Sequence, residues 1–229
     1  LVVDVAHGHL DRTLEAVDEL TERFEVPLCA GNVVTAEGVS DLADAGADCI
    51  KIGVGPGSHC TTREVTGFGV PQFTAIERCV PAAHDAGVRT IADGGIRRSG
   101  DAVKALLAGA DAVMVGGLLA GTDSAPADLV ERDGNQYKRT RGMATKAAAT
   151  ERGDKTSDVV ASEGVEGLTP YTGATEAFLE EFAAGLRSGL SYAGAHDLTT
   201  ARKRAEFIRI TPEAGRRNGA HGVRTDDEP

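Results

Sequence analysis

Five short apolar runs alternate with amphipathic segments along this chain, and the alternation limits its possible folds more than any other feature. The apolar runs are rich in β-branched residues and bounded by glycine, which is typical of buried parallel strands. They cover residues 1–6, 27–34, 49–54, 89–93 and 112–115. The intervening segments repeat apolar residues at spacings of three and four, as helices with one buried face do; they cover residues 10–24, 35–46, 71–87 and 99–109. Strict alternation predicts βαβ units around a parallel sheet.

Polar residues or glycines follow each predicted strand. They lie at residues 4–7, 31–32, 53–62, 93–95 and 116–117. The carboxyl ends of parallel strands meet at one face of an α/β fold, where binding and catalytic residues gather. A closed barrel of eight strands would need three more units, which would have to precede Leu1, and five units alone would leave sheet edges unpaired. We therefore expect the chain to be a fragment of a longer protein.

The sequence changes character after residue 122. Asp133 and Gly134 predict the turn of a β-hairpin. The charged, alanine-rich residues 146–162 predict a mobile flap, and residues 176–192 predict an amphipathic helix. Residues 206–211 predict a last strand or extended segment, followed by a loose polar tail after Pro212. One domain is expected, comprising five βα units (1–122), hairpin and flap (123–175), and terminal helix and tail (176–229).

The charge and the cysteines restrict the class of protein. A formal net charge of −11, spread along the chain, argues against non-specific binding to nucleic acid or anionic membranes. The same acidity, with only 4% aromatic residues, fits a salt-rich cytoplasm. The four cysteines have no zinc spacing, and Cys29, Cys49 and Cys79 lie in apolar surroundings typical of buried free thiols. Without a signal peptide or an apolar run of about 18 residues, we expect a cytoplasmic protein.

The stretch "GVGPGSHCTT" carries a thiol, Cys60, inside a glycine-rich loop. Glycines at 53, 55 and 57 let backbone groups face a ligand: N–H groups would hold a phosphate together with Ser58, and carbonyls would hold a monovalent cation. On so open a backbone a thiolate is reachable and can be activated by nearby dipoles. The alternative is a tight loop with an incidental cysteine.

Further candidates lie at the other strand ends. In "ADGGIRRSGD", Asp93 can accept hydrogen bonds from ribose hydroxyls, and the glycines after it admit a phosphate. "VGGLLAG" is a second phosphate-type turn, and phosphate sites in barrels commonly use the last two strands. Asp4 and Asn32 are candidate polar contacts to a substrate or cofactor, and Glu163 can reach back over the site. His7 and His9 alone make a metal site improbable, because no third ligand accompanies them.

Taken together, five segments resemble the IMP dehydrogenase/GMP reductase family. They are "AGNVVT", "GVGPGSHCTT", "ADGGIRRSGDAVKAL", "RGM" and "EGVEGLTPYTG". The similarity runs in order from Leu1 to about Val223. It implies an α/β fold of the (β/α)8 TIM barrel type, of which this chain holds the last five βα units with flap and terminal helix. It also implies a homotetramer, a purine 5'-monophosphate substrate, NADPH or NAD, and a potassium ion.

The resemblance gives individual residues a role. Cys60 matches the nucleophile that attacks purine C2, Thr62 matches the threonine that assists proton transfer, and Glu163 matches a flap residue that contacts the base. The residues that match substrate-binding positions are Ser58, Asp93, Gly95, Gly116, Gly117, Gly142 and Met143. Asp4 and Asn32 fall on the cofactor side. The carbonyls of Gly55, Gly57 and Cys60 match the potassium loop.

The family contains two reactions, and the sequence favours one of them. The dehydrogenases hydrolyse the covalent adduct and use an Arg-Tyr pair in the flap to activate water, whereas no such pair occurs between Met143 and Glu163. By alignment that place holds Lys155 and Thr156. These features favour the reductase, which converts GMP to IMP. Three segments look more like the dehydrogenase: "TGFGVPQFTAI", "EGVEGLTPY" and the C-terminal "GAHGV". In a dehydrogenase, Lys155, or Thr62 with another flap residue, would replace the missing base.

Two other classes remain open from the residues. A regulatory paralogue would bind nucleotide without turnover, although the intact Cys60 and Thr62 favour an enzyme. A sugar-phosphate isomerase barrel would share the glycine turns but would have no need of the thiol.

Overall fold

The computed structural model describes residues 1–145, 148, 161–216, 218 and 219. Five parallel strands form one sheet in the order of the sequence. They are β1 (Val2–Asp4), β2 (Cys29–Val33), β3 (Cys49–Ile52), β4 (Arg89–Asp93) and β5 (Ala112–Met114). A doubly wound sheet would reverse its strand order at a switch point, whereas sequential order is that of a barrel. All five predicted strands are confirmed, most of them a few residues shorter than expected.

Helices connect these strands on one face of the sheet. They are α1 (Asp11–Arg23), α2 (Ala36–Asp44), α3 (Thr62–Thr66), α4 (Gln72–Ala86) and α5 (Ser99–Leu107). Four were predicted, and their C-terminal glycines behave as expected: Gly46, Gly87 and Gly109 follow their helices with φ of 97°, 73° and 115°. The short helix α3, directly after the Cys60 loop, was not predicted.

The two faces of the sheet differ in chemistry. Ile50 and Ile52 are fully buried in the apolar core against residues of α1, α2 and α4, among them Val17, Val39 and Ile76. Because side chains alternate along a strand, Lys51 points to the opposite, inner face, where it is only 2% exposed. The helix-covered face therefore holds the core, and the inner face holds charges.

A second, antiparallel sheet follows, with strands β6 (Leu129–Arg132), β7 (Asn135–Arg141) and β8 (Glu166–Pro170). The predicted turn is confirmed: Asp133 and Gly134 connect β6 to β7, with φ of 53° and 77°. Two positive φ values suit an Asp-Gly pair in a two-residue hairpin turn. Strand β8, which pairs with β7, was not predicted.

The C-terminal part contains α6 (Thr175–Tyr192), α7 (Leu198–Arg204) and α8 (Pro212–Arg216). Helix α6 is the predicted amphipathic helix, whereas α7 was not predicted. Residues 206–211 form no strand, and the tail that was predicted to be loose begins with the short helix α8. Apart from residues 148, 161 and 162, the predicted flap lies outside the described residues. No helix among the described residues is long and apolar enough to cross a membrane.

Candidate active site

A cavity of about 1330 Å³ opens at the carboxyl ends of β3, β4 and β5 and extends to β7 and β8. Most of the predicted site residues line it together: Gly57, Ser58, Cys60, Asp93, Gly95, Gly116, Gly117, Gly142, Met143 and Glu163. The predicted residues Asp4, Asn32, Gly55 and Thr62 do not line the cavity. Asn32 and Thr62 instead contact residues that do.

Glycine is required where the Cys60 loop leaves β3. A Cβ added to Gly53, whose φ is 146°, would lie 2.2 Å from the carbonyl oxygen of Asp93. The loop then closes in a tight turn, in which the amide of Cys60 donates to the carbonyl of Gly57 over 3.1 Å. Close packing on β4 and the tight turn together hold the half-buried thiol at the cavity wall.

Cys60, Thr62 and Glu163 form a chain of side-chain hydrogen bonds. The Cys60 thiol donates to Thr62 Oγ1 over 3.1 Å, and the Thr62 hydroxyl donates to Glu163 Oε2 over 2.7 Å. The backbone fixes the same geometry, since the amide of Thr61 donates to the carbonyl of Glu163 over 2.8 Å. A carboxylate at the end of such a chain can take up the thiol proton through the hydroxyl, which leaves a nucleophilic thiolate.

Three backbone turns converge beside the thiol. Gly94 and Gly95 adopt φ of 87° and 76° after β4. A Cβ on Gly117 would lie only 2.6 Å from Ser58 Oγ, so the turn after β5 approaches the serine hydroxyl directly. Glycine turns combined with a hydroxyl are the chemistry that holds a phosphate group.

Lys51 is a buried cation beneath the site that sequence reasoning missed. Its Nζ lies 2.6 Å from Asp93 Oδ2 and 3.0 Å from Asp4 Oδ1. Burial alone would lower the pKa of this ammonium, but the hydrogen bonds and charges of Asp93 and Asp4 outweigh it, so the pKa lies above its usual value. The available signal was a lysine inside the apolar run "CIKI", which has to be paired if it is buried.

Asn32, a candidate for cofactor binding, is hydrogen-bonded to Asp93. Its Nδ2 donates to Asp93 Oδ2 over 2.9 Å and to the carbonyl of Gly53 over 2.7 Å. Its Oδ1 is buried and has no hydrogen-bond partner among the described residues. Asp4 keeps 61% of its side chain exposed. An orphaned acceptor and an exposed carboxylate fit a ligand with hydroxyl or amide donors on this side.

The other predicted candidates lie apart from this chemistry. His9 Nε2 pairs with Asp41 at 2.6 Å, and no group of three or more side chains among the described residues could hold a metal ion. Burial raises the pKa of Cys79 to about 12, as expected for a core thiol. Cys29 and Cys49 are only half-buried, contrary to the prediction of core positions. The neighbouring strands β2 and β3 place them side by side, and the interaction with the Cys49 thiol lowers the pKa of Cys29 to about 7 against the opposing effect of burial.

Comparison with known proteins places the chain among purine nucleotide enzymes. Residues 1–221 match the model of the IMP dehydrogenase / GMP reductase domain. The chain is 47% identical to inosine-5'-monophosphate dehydrogenase of Aquifex aeolicus, with 100% of the chain and 48% of that protein covered. It is 46% identical to GMP reductase of Leishmania donovani, with 97% of the chain and 47% of that protein covered.

A solved structure of GMP reductase from Trypanosoma brucei, in complex with guanosine 5'-monophosphate, superposes with a TM-score of 0.92 at 44% identity. The match covers 98% of this chain and 47% of that one, and it confirms the TIM-barrel fold class. The chain thus spans about half the length of the relatives it matches. It belongs to the IMP dehydrogenase/GMP reductase family.

Proposed function

We propose that this chain carries the nucleotide site of an oxidoreductase that converts GMP to IMP and ammonia with NADPH, through a thioimidate on Cys60. The hydrogen-bond chain from Cys60 through Thr62 to Glu163 carries the proposal, since it places a thiol with a proton acceptor at the wall of a cavity with phosphate-binding turns. The GMP complex of the related reductase supports the substrate class.

The residues suit this chemistry step by step. Ser58 and the turns at Gly95 and Gly117 hold the phosphate, Asp93 accepts from the ribose hydroxyls, and Met143 lies against the base. The Cys60 thiolate adds to purine C2, and its proton passes through Thr62 to Glu163 and on to the departing amino group. The C–S bond breaks again as C2 is reduced. In sum, GMP, NADPH and two protons give IMP, NADP⁺ and ammonium.

NADPH would supply the hydride that C2 receives, and two residues of this chain fit its binding. The buried Oδ1 of Asn32, which has no partner among the described residues, can accept a hydrogen bond, and the exposed carboxylate of Asp4 can do the same. NAD would fit these two residues equally well, because both cofactors offer hydroxyl and amide donors.

A potassium ion fits the Cys60 loop. No described residue donates a hydrogen bond to the carbonyl oxygens of Gly55 or Cys60, and the Gly57 carbonyl keeps a lone pair beside its bond to the Cys60 amide. These three carbonyls would hold the ion and brace the loop. Of the "GAHGV" stretch that would complete such a site in a neighbouring subunit of a tetramer, residues 220–223 lie outside the described residues.

The direction of the reaction rests on the flap sequence. No Arg-Tyr pair occurs between Met143 and Glu163, so the group that activates water in the dehydrogenases is missing. Reductive deamination needs no such water. Lys155 and Thr156, which stand in its place, lie outside the described residues.

The alternative is an IMP dehydrogenase that oxidises IMP to XMP with NAD. The observation in its favour is the 47% identity to the Aquifex aeolicus dehydrogenase, which is close to the 46% identity to the Leishmania donovani reductase. In that case Lys155, or Thr62 with Glu163, would activate the water.

Two assays on full-length protein in potassium buffer, both of which follow the absorbance of reduced nicotinamide, separate the possibilities. Loss of absorbance with GMP and NADPH, and none gained with IMP and NAD, is the expected result. Gain with IMP would establish the dehydrogenase. Binding of nucleotide without either reaction would mean a regulatory paralogue, and a Cys60→Ala variant that stays active would exclude the covalent route altogether.

A further inference from the structure

We infer that His59 is a positioning residue that turns the Ser58 hydroxyl toward the phosphate of the substrate. The inference rests on the proposed function, because it requires a purine 5'-monophosphate in the cavity. None of the sequence motifs assigned a role to His59, although it lies between Ser58 and Cys60.

Both ring nitrogens of His59 have hydroxyl partners. Nδ1 lies 3.1 Å from Ser58 Oγ, and Nε2 lies 2.8 Å from Thr140 Oγ1. Thr140 Oγ1 in turn lies 2.8 Å from Thr169 Oγ1 on the neighbouring strand β8. A continuous row of hydrogen bonds therefore runs from the antiparallel sheet to Ser58 at the cavity wall.

The negative charge of the phosphate decides which group donates in each hydrogen bond of this row. A hydroxyl facing an anion must donate, because its lone pairs would be repelled. Ser58 can donate to a phosphate only when Nδ1 carries the imidazole proton and donates to Ser58 Oγ. Nε2 then accepts from the Thr140 hydroxyl, and Thr140 Oγ1 accepts from Thr169. Every member of the row has a partner in this arrangement, and the last proton points at the phosphate.

The backbone keeps His59 in register with its partners. Its carbonyl accepts from the amide of Val165 over 3.0 Å, and the Val165 carbonyl accepts from Gly142 over 3.0 Å. A Cβ on Gly142 would lie 3.1 Å from the His59 carbonyl, so the two segments pack closely. His59 thus connects Ser58, which would bind the phosphate, to the segment of Met143, which would lie against the base.

The test compares two reagents on full-length protein: 6-chloropurine riboside 5'-monophosphate and 6-chloropurine riboside, which lacks the phosphate. Both would alkylate Cys60, whose thiolate forms a C–S bond to the purine as chloride leaves. In His59→Leu we expect the second-order rate constant for the monophosphate to fall about tenfold, as for one lost charge-assisted hydrogen bond. The rate constant for the riboside stays unchanged, which also reports that the variant is folded.

His59→Asn is the matched control, since its amide nitrogen lies where Nδ1 does and can still donate to Ser58. Most of the loss should be recovered in it. Equal losses for both reagents, no loss for either, or an Asn variant as impaired as the Leu variant would overturn the inference. A wild-type protein that reacts with neither reagent would overturn the proposed function, and the role of His59 with it.

Discussion

Thr62 lies between the proposed nucleophile Cys60 and the carboxylate of Glu163. In the described part of the chain, no other carboxylate makes a side-chain hydrogen bond to the Cys60 loop. Thr62→Val keeps the shape of the side chain but removes both hydrogen bonds, so the thiol proton has no route to Glu163. We expect turnover to fall about a hundredfold, the lower range for loss of general acid–base catalysis. Steady-state kinetics of the full-length protein measures it.

Thr62→Ser is the control for that substitution, since it restores the hydroxyl at the same place. It should retain most of the activity. A Val variant as active as wild type would show that protons reach the thiol by another path.

Lys51 allows a prediction about pH. The folded-state pKa of its ammonium is raised, so its pairs with Asp93 and Asp4 stabilise the fold fully below the unfolded pKa of about 10.4 and cease to do so as pH rises through the higher folded value. Lys51→Met leaves Asp93 without its cation and should cost about 3 kcal/mol, the lower end of the range for breaking a buried pair, because Asp4 is largely exposed. Denaturant unfolding measures the difference in stability at each pH.

The difference between wild type and Lys51→Met should stay constant through neutral pH and shrink only in strongly alkaline buffer. A difference that already shrinks between about pH 8 and pH 6, where the Lys51 ammonium stays charged, would contradict the assignment of the pairs.

The site residues that the sequence indicated lie in one glycine-rich loop, directly after a predicted strand, or in a motif of the family. Cys60, Ser58 and the glycines share the loop, and their residue types indicate a reachable thiol on an open backbone. Lys51 and His59 act through partners far along the chain: Asp93 lies 42 positions from Lys51, and Thr140 lies 81 from His59. Such pairs come from the folded topology, which spacing within the sequence does not contain.

At the scale of elements, the contact between α5 and α6 depends on two small residues. A Cβ on Gly189 would lie 2.6 Å from Val103 Cγ2, and one on Gly185 would lie 2.2 Å from Ser99 Oγ. Gly189→Ala should therefore destabilise the protein by about 1–3 kcal/mol through overpacking, although alanine is the better helix former. Chemical denaturation measures the change.

Gly100→Ala is the matched control in helix α5. Gly100 is exposed and a Cβ there meets nothing within 4 Å, so the same substitution should stabilise by about 0.5–1 kcal/mol. Opposite signs for the two variants are expected. Stabilisation by both would mean that α6 moves away from α5 without cost.

Helices and strands with a regular pattern of apolar residues were predicted from the sequence. Elements that are very short, or that form only by pairing with a neighbouring strand, were not. The four long helices bury one regular stripe, and the strands between them are apolar and bounded by glycine. Helices α3 and α7 have five and seven residues, too short for a stripe to be recognised. Strand β8 has the polar sequence "EGLTP" and forms because β7 offers it a free edge.

At the scale of the whole molecule, the barrel class follows from the sequential order of five parallel strands. The strand–helix alternation predicted the parallel sheet, and the resemblance to the family implied the barrel. The direction of the reaction does not follow from the fold, because dehydrogenases and reductases match the chain at nearly the same identity. What favours the reductase in the proposed function is the sequence of the flap, in which no Arg-Tyr pair occurs between Met143 and Glu163.

The net charge of the molecule supplies the last prediction. A charge of −11 repels itself, and the repulsion falls as the screening length shortens from about 10 Å in 0.1 M salt to about 3 Å in 1 M. The melting temperature should therefore rise with salt in both KCl and NaCl, and further in KCl, because an ion bound by the Cys60 loop of the folded protein adds to the effect of screening. Turnover should respond differently: an ion held by the carbonyls of the Cys60 loop gives activity in KCl that NaCl does not. Activity that follows both salts alike would mean that charge screening, and not a bound potassium ion, is what the loop requires.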